Sequence, residues 1–135
     1  VEGKEILKIT PLEVADRLDQ LADKTLTGVE SLQAGDASPE FKATLGDMEA
    51  MAHLGRYYAD KIRGAAAIAV YRADNNRTEE KRQAAGHFQD AVEDWRELAR
   101  VAGGQYRSQL IARTHYMDWD AILKEVEKEA ERFKE

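Results

Sequence analysis

The sequence has no cysteine, so disulfides and thiolate metal sites are excluded, while the cellular compartment stays open. It has only 2 prolines and 9 glycines in 135 residues, too few for a fold rich in turns. There is no basic excess: 20 Lys and Arg stand against 26 Asp and Glu, for a net charge of −6. Nucleic acid is therefore not an expected partner, because binding in a groove needs cationic side chains set against phosphates. The longest unbroken apolar stretch runs over residues 64–71. A membrane span needs about 20 such residues, so none is expected. What is present is 43% hydrophobic and 34% charged residues, the mixture of a long-helix domain with a packed core.

Helix punctuation divides the chain. Residues 1–10 read as an extended lead-in to a single helical domain over 11–135. The chain opens Val1-Glu2-Gly3, without an initiator Met and without a positive-then-apolar signal segment. The expectation drawn from this is a removed leader or a piece of a longer protein. Thr10-Pro11-Leu12-Glu13 combines a cap, a proline suited to the first helical position and the acid of a capping box. A helix over 11–33 follows, with Val14, Leu18, Leu21, Ala22, Val29 and Leu32 at helical spacing. Ser38-Pro39-Glu40 repeats the signal for a helix over 39–73. Its stripe of Phe41, Leu45, Met48, Ala52, Gly55, Ala59, Ile62, Ala66 and Ala69 alternates steps of four and three, as a bundle seam does. Thr78-Glu79-Glu80 starts a helix over 78–102, with a stripe of Ala84/Ala85, Phe88, Val92, Trp95, Leu98/Ala99 and Ala102, and Gly103-Gly104 as its stop. Asp118 caps a last helix over 118–134. The fold class predicted is all-α: an antiparallel up-down four-helix bundle with a long second helix and a long loop before the last one.

Catalytic chemistry finds no foothold. Ser31, Ser38 and Ser108 lie in no nucleophile motif, and no glycine-rich phosphate loop exists. Two spaced pairs, Glu49/His53 and His87/Asp90, place a carboxylate beside an imidazole on one helix face. Neither matches the Glu-x-x-His motif of di-iron bundles. The expectation is no catalytic residue, no metal and no cofactor, with His53 and His87 partly exposed beside the seam. Paired acids such as Glu93/Asp94 read as a solvated face.

The segment 105–119 gathers aromatic and planar cationic groups in the longest interval without periodicity. Tyr106, Arg107, Arg113, His115, Tyr116 and Trp119 are the candidate ligand-binding residues, since ring faces and planar donors suit sugars and carboxylates. The alternative is that Tyr106, Tyr116 and Trp119 plug the end of the bundle. Four blocks, over 57–65, 91–95, 105–107 and 115–119, resemble a C-terminal helical region of large secreted bacterial proteins of polysaccharide breakdown, glycoside-hydrolase-like or bearing carbohydrate-binding modules. The resemblance covers roughly residues 40–125 and carries no catalytic signature. It implies a secreted or periplasmic protein whose chemistry lies in another domain. The expected partners are a preceding domain of the same protein and a carbohydrate.

Three readings result. A non-catalytic accessory domain would expose an apolar patch where its companion docks. An autonomous binding or adaptor module would carry a groove near Tyr106 and Tyr116. A small metal-binding bundle would bury His53 or His87 beside acids.

Overall fold

The computed structural model describes residues 8–33, 38–73, 78–111 and 115–133, with the backbone alone at 109–111 and 115. The extended lead-in expected before residue 8 lies outside the described residues. Among the described residues four helices carry the fold: α1 (Pro11–Gln33), α2 (Pro39–Ala73), α3 (Thr78–Gln105) and α4 (Trp119–Glu131). Two short strands, β1 (Gln109–Ile111) and β2 (His115–Met117), lie between α3 and α4.

Each expected start is built by local side-chain chemistry. The Thr10 hydroxyl accepts from the Glu13 amide at 3.2 Å, and the Glu13 carboxylate accepts from the Thr10 amide at 2.7 Å, a complete capping box. The Ser38 hydroxyl accepts from the Phe41 amide at 3.3 Å. Asp118 accepts from the Ala121 amide at 2.9 Å and stays outside α4 as its cap. Each cap satisfies an amide that the first turn leaves without an intrahelical partner.

Neighbouring helices are antiparallel, as their side-chain pairs show. Asp16 and Asp23 reach Arg63 and Arg56 across α1–α2. His87 and Arg100 reach Asp60 and Glu49 across α2–α3. Arg96 and Phe88 reach Glu127 and Phe133 across α3–α4. The main core lies among α2, α3 and α4, around Phe88, Val92, Trp95, Leu98 and Val126. The α3 stripe read from sequence is the wall of this core. Trp95 meets Tyr57 edge-on at 4.9 Å, and its indole N–H donates to the Trp119 carbonyl at 3.3 Å. On the other side of α2, α1 buries only Ala15, Ala22 and Val29.

Three expectations need correction. α3 does not stop at Gly103-Gly104 but runs to Gln105. A tertiary bond holds this last turn, the Gln105 side-chain amide donating to the Asp47 carboxylate of α2 at 2.9 Å, while Tyr106 N–H continues the helical ladder to Ala102 O at 2.7 Å. The long loop is in part a ladder, with Gln109 paired to Met117, Leu110 to Tyr116 and Ile111 to His115 in antiparallel register. Its aromatic and β-branched residues suit a pleated edge better than coil. The last helix ends at Glu131 rather than 134. Among the described residues, no helix is long and apolar enough to cross a membrane.

Candidate functional site

Three places in the fold carry unusual side-chain chemistry. The first is the corner between α3 and α4, where the candidate residues fall. Tyr106, Arg107 and Trp119 line an open depression of about 480 Å³, together with Gln105, Ser108 and Asp118. Tyr106 is not free in it, because its hydroxyl donates to the Asp47 carboxylate, which holds the phenol pKa above its ordinary value. Trp119 is half-buried and packs against the core, 6.5 Å from the Trp95 ring. Tyr116 is 70% exposed on β2, outside this depression. Arg113 lies outside the described residues, and His115 is described only as the β2 residue paired to Ile111. The corner thus brings together three of the six candidates, and two of those three also serve the packing.

The second place is a groove between α1 and α2. Leu18, Leu21 and Ala22 face Met48, Met51, Ala52 and Gly55 across an open volume of about 460 Å³. Leu21 is 62% exposed and Met51 66%. Of the α1 stripe at helical spacing, Val14, Leu21 and Leu32 are exposed. Among the described elements α1 packs on α2, so half of its apolar stripe lacks a covering layer.

The third place is a polar row inside the α2–α3 seam. Asp60 of α2 faces His87 of α3, with His87 Nδ1 and Asp60 Oδ1 in hydrogen-bond contact at 3.1 Å. Asp90 follows one turn after His87. A potential metal-ligating atom from each of Asp60, His87 and Asp90 lies within 4.8 Å of the other two. One seam layer away, His53 Nδ1 faces Asp94 Oδ1 at 3.9 Å. Burial pushes the Asp60 carboxyl up to about 6; the His87 hydrogen bond opposes this, and the Asp90 and Asp94 charges add to it. Arg63 stands 3.8 Å from Asp60 but lies closer to Asp16 (2.9 Å) and Asp19 (2.5 Å) of α1.

This row differs from the sequence expectation in detail. His53 is 8% exposed rather than partly exposed. Glu49 does not pair with it, because Arg100 takes Glu49 at 2.9 Å. Asp60 and Asp94 were missed as site residues, since each looks like an ordinary surface acid when its helix is read alone. One signal was available: Asp60 follows His53 by seven residues and Asp94 follows His87 by seven, so each pair shares a helix face.

Compared with protein-family models, with curated proteins and with solved structures, the chain matches none.

Proposed function

We propose that this chain is a non-catalytic helical accessory domain, part of a larger secreted carbohydrate-active protein, that receives a helix of a companion domain in its α1–α2 groove. The observation that carries the reading is the exposed apolar lining formed by Leu21, Met48 and Met51 over a floor of Ala22, Ala52 and Gly55. A contiguous apolar surface of this kind marks a binding face more often than a solvent face. The floor is made of small residues, which lets a backbone approach closely. Methionine rims adapt to the partner's side chains. From Thr44 to Gly55 the groove runs about 17 Å along α2, three turns of an apposed helix. The polysaccharide context is supported by the resemblance of the blocks over 57–65, 91–95, 105–107 and 115–119.

The test compares amide hydrogen exchange in this chain alone with exchange in the full product of its source gene. Protection gained over 18–25 and 44–55 in the longer product is the expected result. Equal exchange in both, or a native product no longer than this chain, would overturn the accessory reading.

A second reading, an autonomous glycan-binding module, is favoured by the depression lined by Tyr106, Arg107 and Trp119. It requires glycan binding by the isolated chain, lost on Arg107→Ala with melting unchanged.

A further inference from the structure

The seam between α2 and α3 places imidazole and carboxylate groups together beyond what ion pairing uses. His87 and Asp90 project from one face of α3, and Asp60 meets them from α2. Both helices are packed elements of the core, so the three groups stand on a rigid frame. A metal held at about 2.0–2.2 Å from each ligand keeps neighbouring ligand atoms roughly 3–3.5 Å apart. His87 Nδ1 and Asp60 Oδ1 already stand 3.1 Å apart, and exposed Asp90 completes a set whose ligand atoms lie within 4.8 Å of one another.

Charge bookkeeping points the same way. The charges of Asp90 and Asp94 both act on Asp60. The guanidinium nearest Asp60 is engaged by two aspartates of α1 at shorter distances. A separate observation concerns His53, which does not belong to the acidic group. It is 8% exposed, its Nδ1 has no hydrogen-bond partner, and that nitrogen is directed at Asp94 within the row. A buried polar atom left unpaired is costly, so this seam holds polar capacity that the two helices do not satisfy between themselves. A purely structural ion pair would account for Asp60 and His87. It leaves unexplained why Asp90 joins them and why buried His53 Nδ1 faces Asp94 at 3.9 Å without a hydrogen bond.

We propose that Asp60, His87 and Asp90 bind a divalent first-row transition-metal ion, with Asp94 and His53 as the layer of groups behind the ligands. One imidazole with two carboxylates suits Zn²⁺, Mn²⁺ or Fe²⁺ rather than Ca²⁺ or Mg²⁺, which favour sets made of oxygen alone. The three protein ligands leave coordination positions for water on the side where Asp90 is exposed.

The experiment uses tag-free protein, stripped with chelator and titrated with Zn²⁺ by calorimetry, with bound metal counted by elemental analysis. One equivalent is expected. Asp60→Asn and His87→Gln should each weaken binding by at least about 100-fold, and Asp94→Asn by roughly 10–100-fold, as groups behind metal ligands do. His115→Gln, on β2, should leave binding unchanged. Circular dichroism checks that each variant folds. Paramagnetic broadening by Mn²⁺ gives a readout without variants: signals of 60, 87 and 90 should broaden first. Sub-stoichiometric uptake in excess Zn²⁺, wild-type affinity in both Asp60→Asn and His87→Gln, or broadening spread evenly over the surface acids would overturn the proposal.

Discussion

Asp60→Asn should make the metal-free protein more stable at neutral pH and leave it unchanged in acid. The carboxyl of Asp60 titrates near 6 in the folded chain against 3.8 for the ordinary side chain, chiefly because it is buried. The sign follows from where the proton is held. Between those two values the folded state keeps a proton that the unfolded state has released, so stability is present below about 3.8 and is lost as pH rises through about 6. The groups facing Asp60 are His87, Asp90 and Asp94 on α3 and Arg63 on its own helix. At about 1.4 kcal/mol per pH unit, the gap sets a ceiling near 3 kcal/mol for the cost of ionised Asp60 at pH 7.5. The asparagine amide still accepts from His87, though less strongly than a carboxylate, and solvent reaches part of the site. The expected gain is therefore about 1–2 kcal/mol at pH 7.5, falling to within about 0.5 kcal/mol of zero near pH 4. Urea unfolding of both proteins in chelator across this range reads the difference directly and cancels the titration of acids remote from the row. A variant less stable than wild type at pH 7.5, or a gain equal at both ends, would refute the reasoning. Saturating Zn²⁺ should reverse the order, because ligand at about 100 times its Kd stabilises the wild type by about 2.7 kcal/mol.

Two glycines of the helices should respond with opposite signs. A Cβ at Gly64 would sit 2.9 Å from Phe88 Cζ, and that ring is stacked on Phe133 at 4.2 Å and has little room to move. Gly64→Ala should cost about 1–3 kcal/mol of overpacking, only partly offset by better helix propensity. Gly86 has open space where its Cβ would be, so Gly86→Ala should gain about 0.5–1 kcal/mol. Denaturant midpoints of the pair check this, and shifts of the same sign would contradict the packing described. Tyr116→Ala should leave thermal melting unchanged, as fits a side chain 70% exposed, while Trp119→Ala should lower it markedly through the lost contact with the Trp95 layer.

The parts of the fold legible in the sequence are those decided within one turn of helix. Thr10, Ser38 and Asp118 announce their helices because a cap bonds an amide three residues on, whatever lies elsewhere in the chain. The α3 stripe was legible because Phe88, Val92, Trp95 and Leu98 are large, regularly spaced and all buried. The end of α3 was not, because the groups that extend it past Gly103 answer to Asp47, 58 residues away from Gln105. The exposure of Leu21 and Met51 was hidden for a related reason. Periodicity identifies the apolar side of a helix and is silent on whether another layer covers it. The polar row is the clearest case: His53 has Glu49 one turn before it, yet Arg100 claims that carboxylate, and His53 faces Asp94 at 3.9 Å without a hydrogen bond. Of the corner residues, the composition of 105–119 singled out Tyr106, Arg107 and Trp119, which line one depression, but could not show that Tyr106 is tied to α2.

α2 is a wall shared by two layers of different strength, and this predicts how the molecule opens. On one side it joins α3 and α4 through Trp95, Phe88 and their neighbours, a core of large buried rings. On the other it meets α1 through Ala15, Ala22 and Val29, which bury little apolar area. The polar links to α1 include exposed ion pairs such as Arg56–Asp23, with side chains 36% and 63% exposed, beside the more covered Arg63–Asp19 pair. Pairs this exposed contribute at most about 1 kcal/mol each and are screened by salt. α1 should therefore detach in a sub-global step well below the free energy of global unfolding, and added salt should lower that step further. A metal in the α2–α3 seam ties together the strong layer, so Zn²⁺ should slow exchange at 84–101 while leaving α1 amides unchanged. A helix seated in the α1–α2 groove should do the reverse, protecting 15–29 first. Exchange measured with each ligand alone separates the two sites. Protection of α1 by Zn²⁺ would mean that the two layers open together, contrary to the packing on either face of α2.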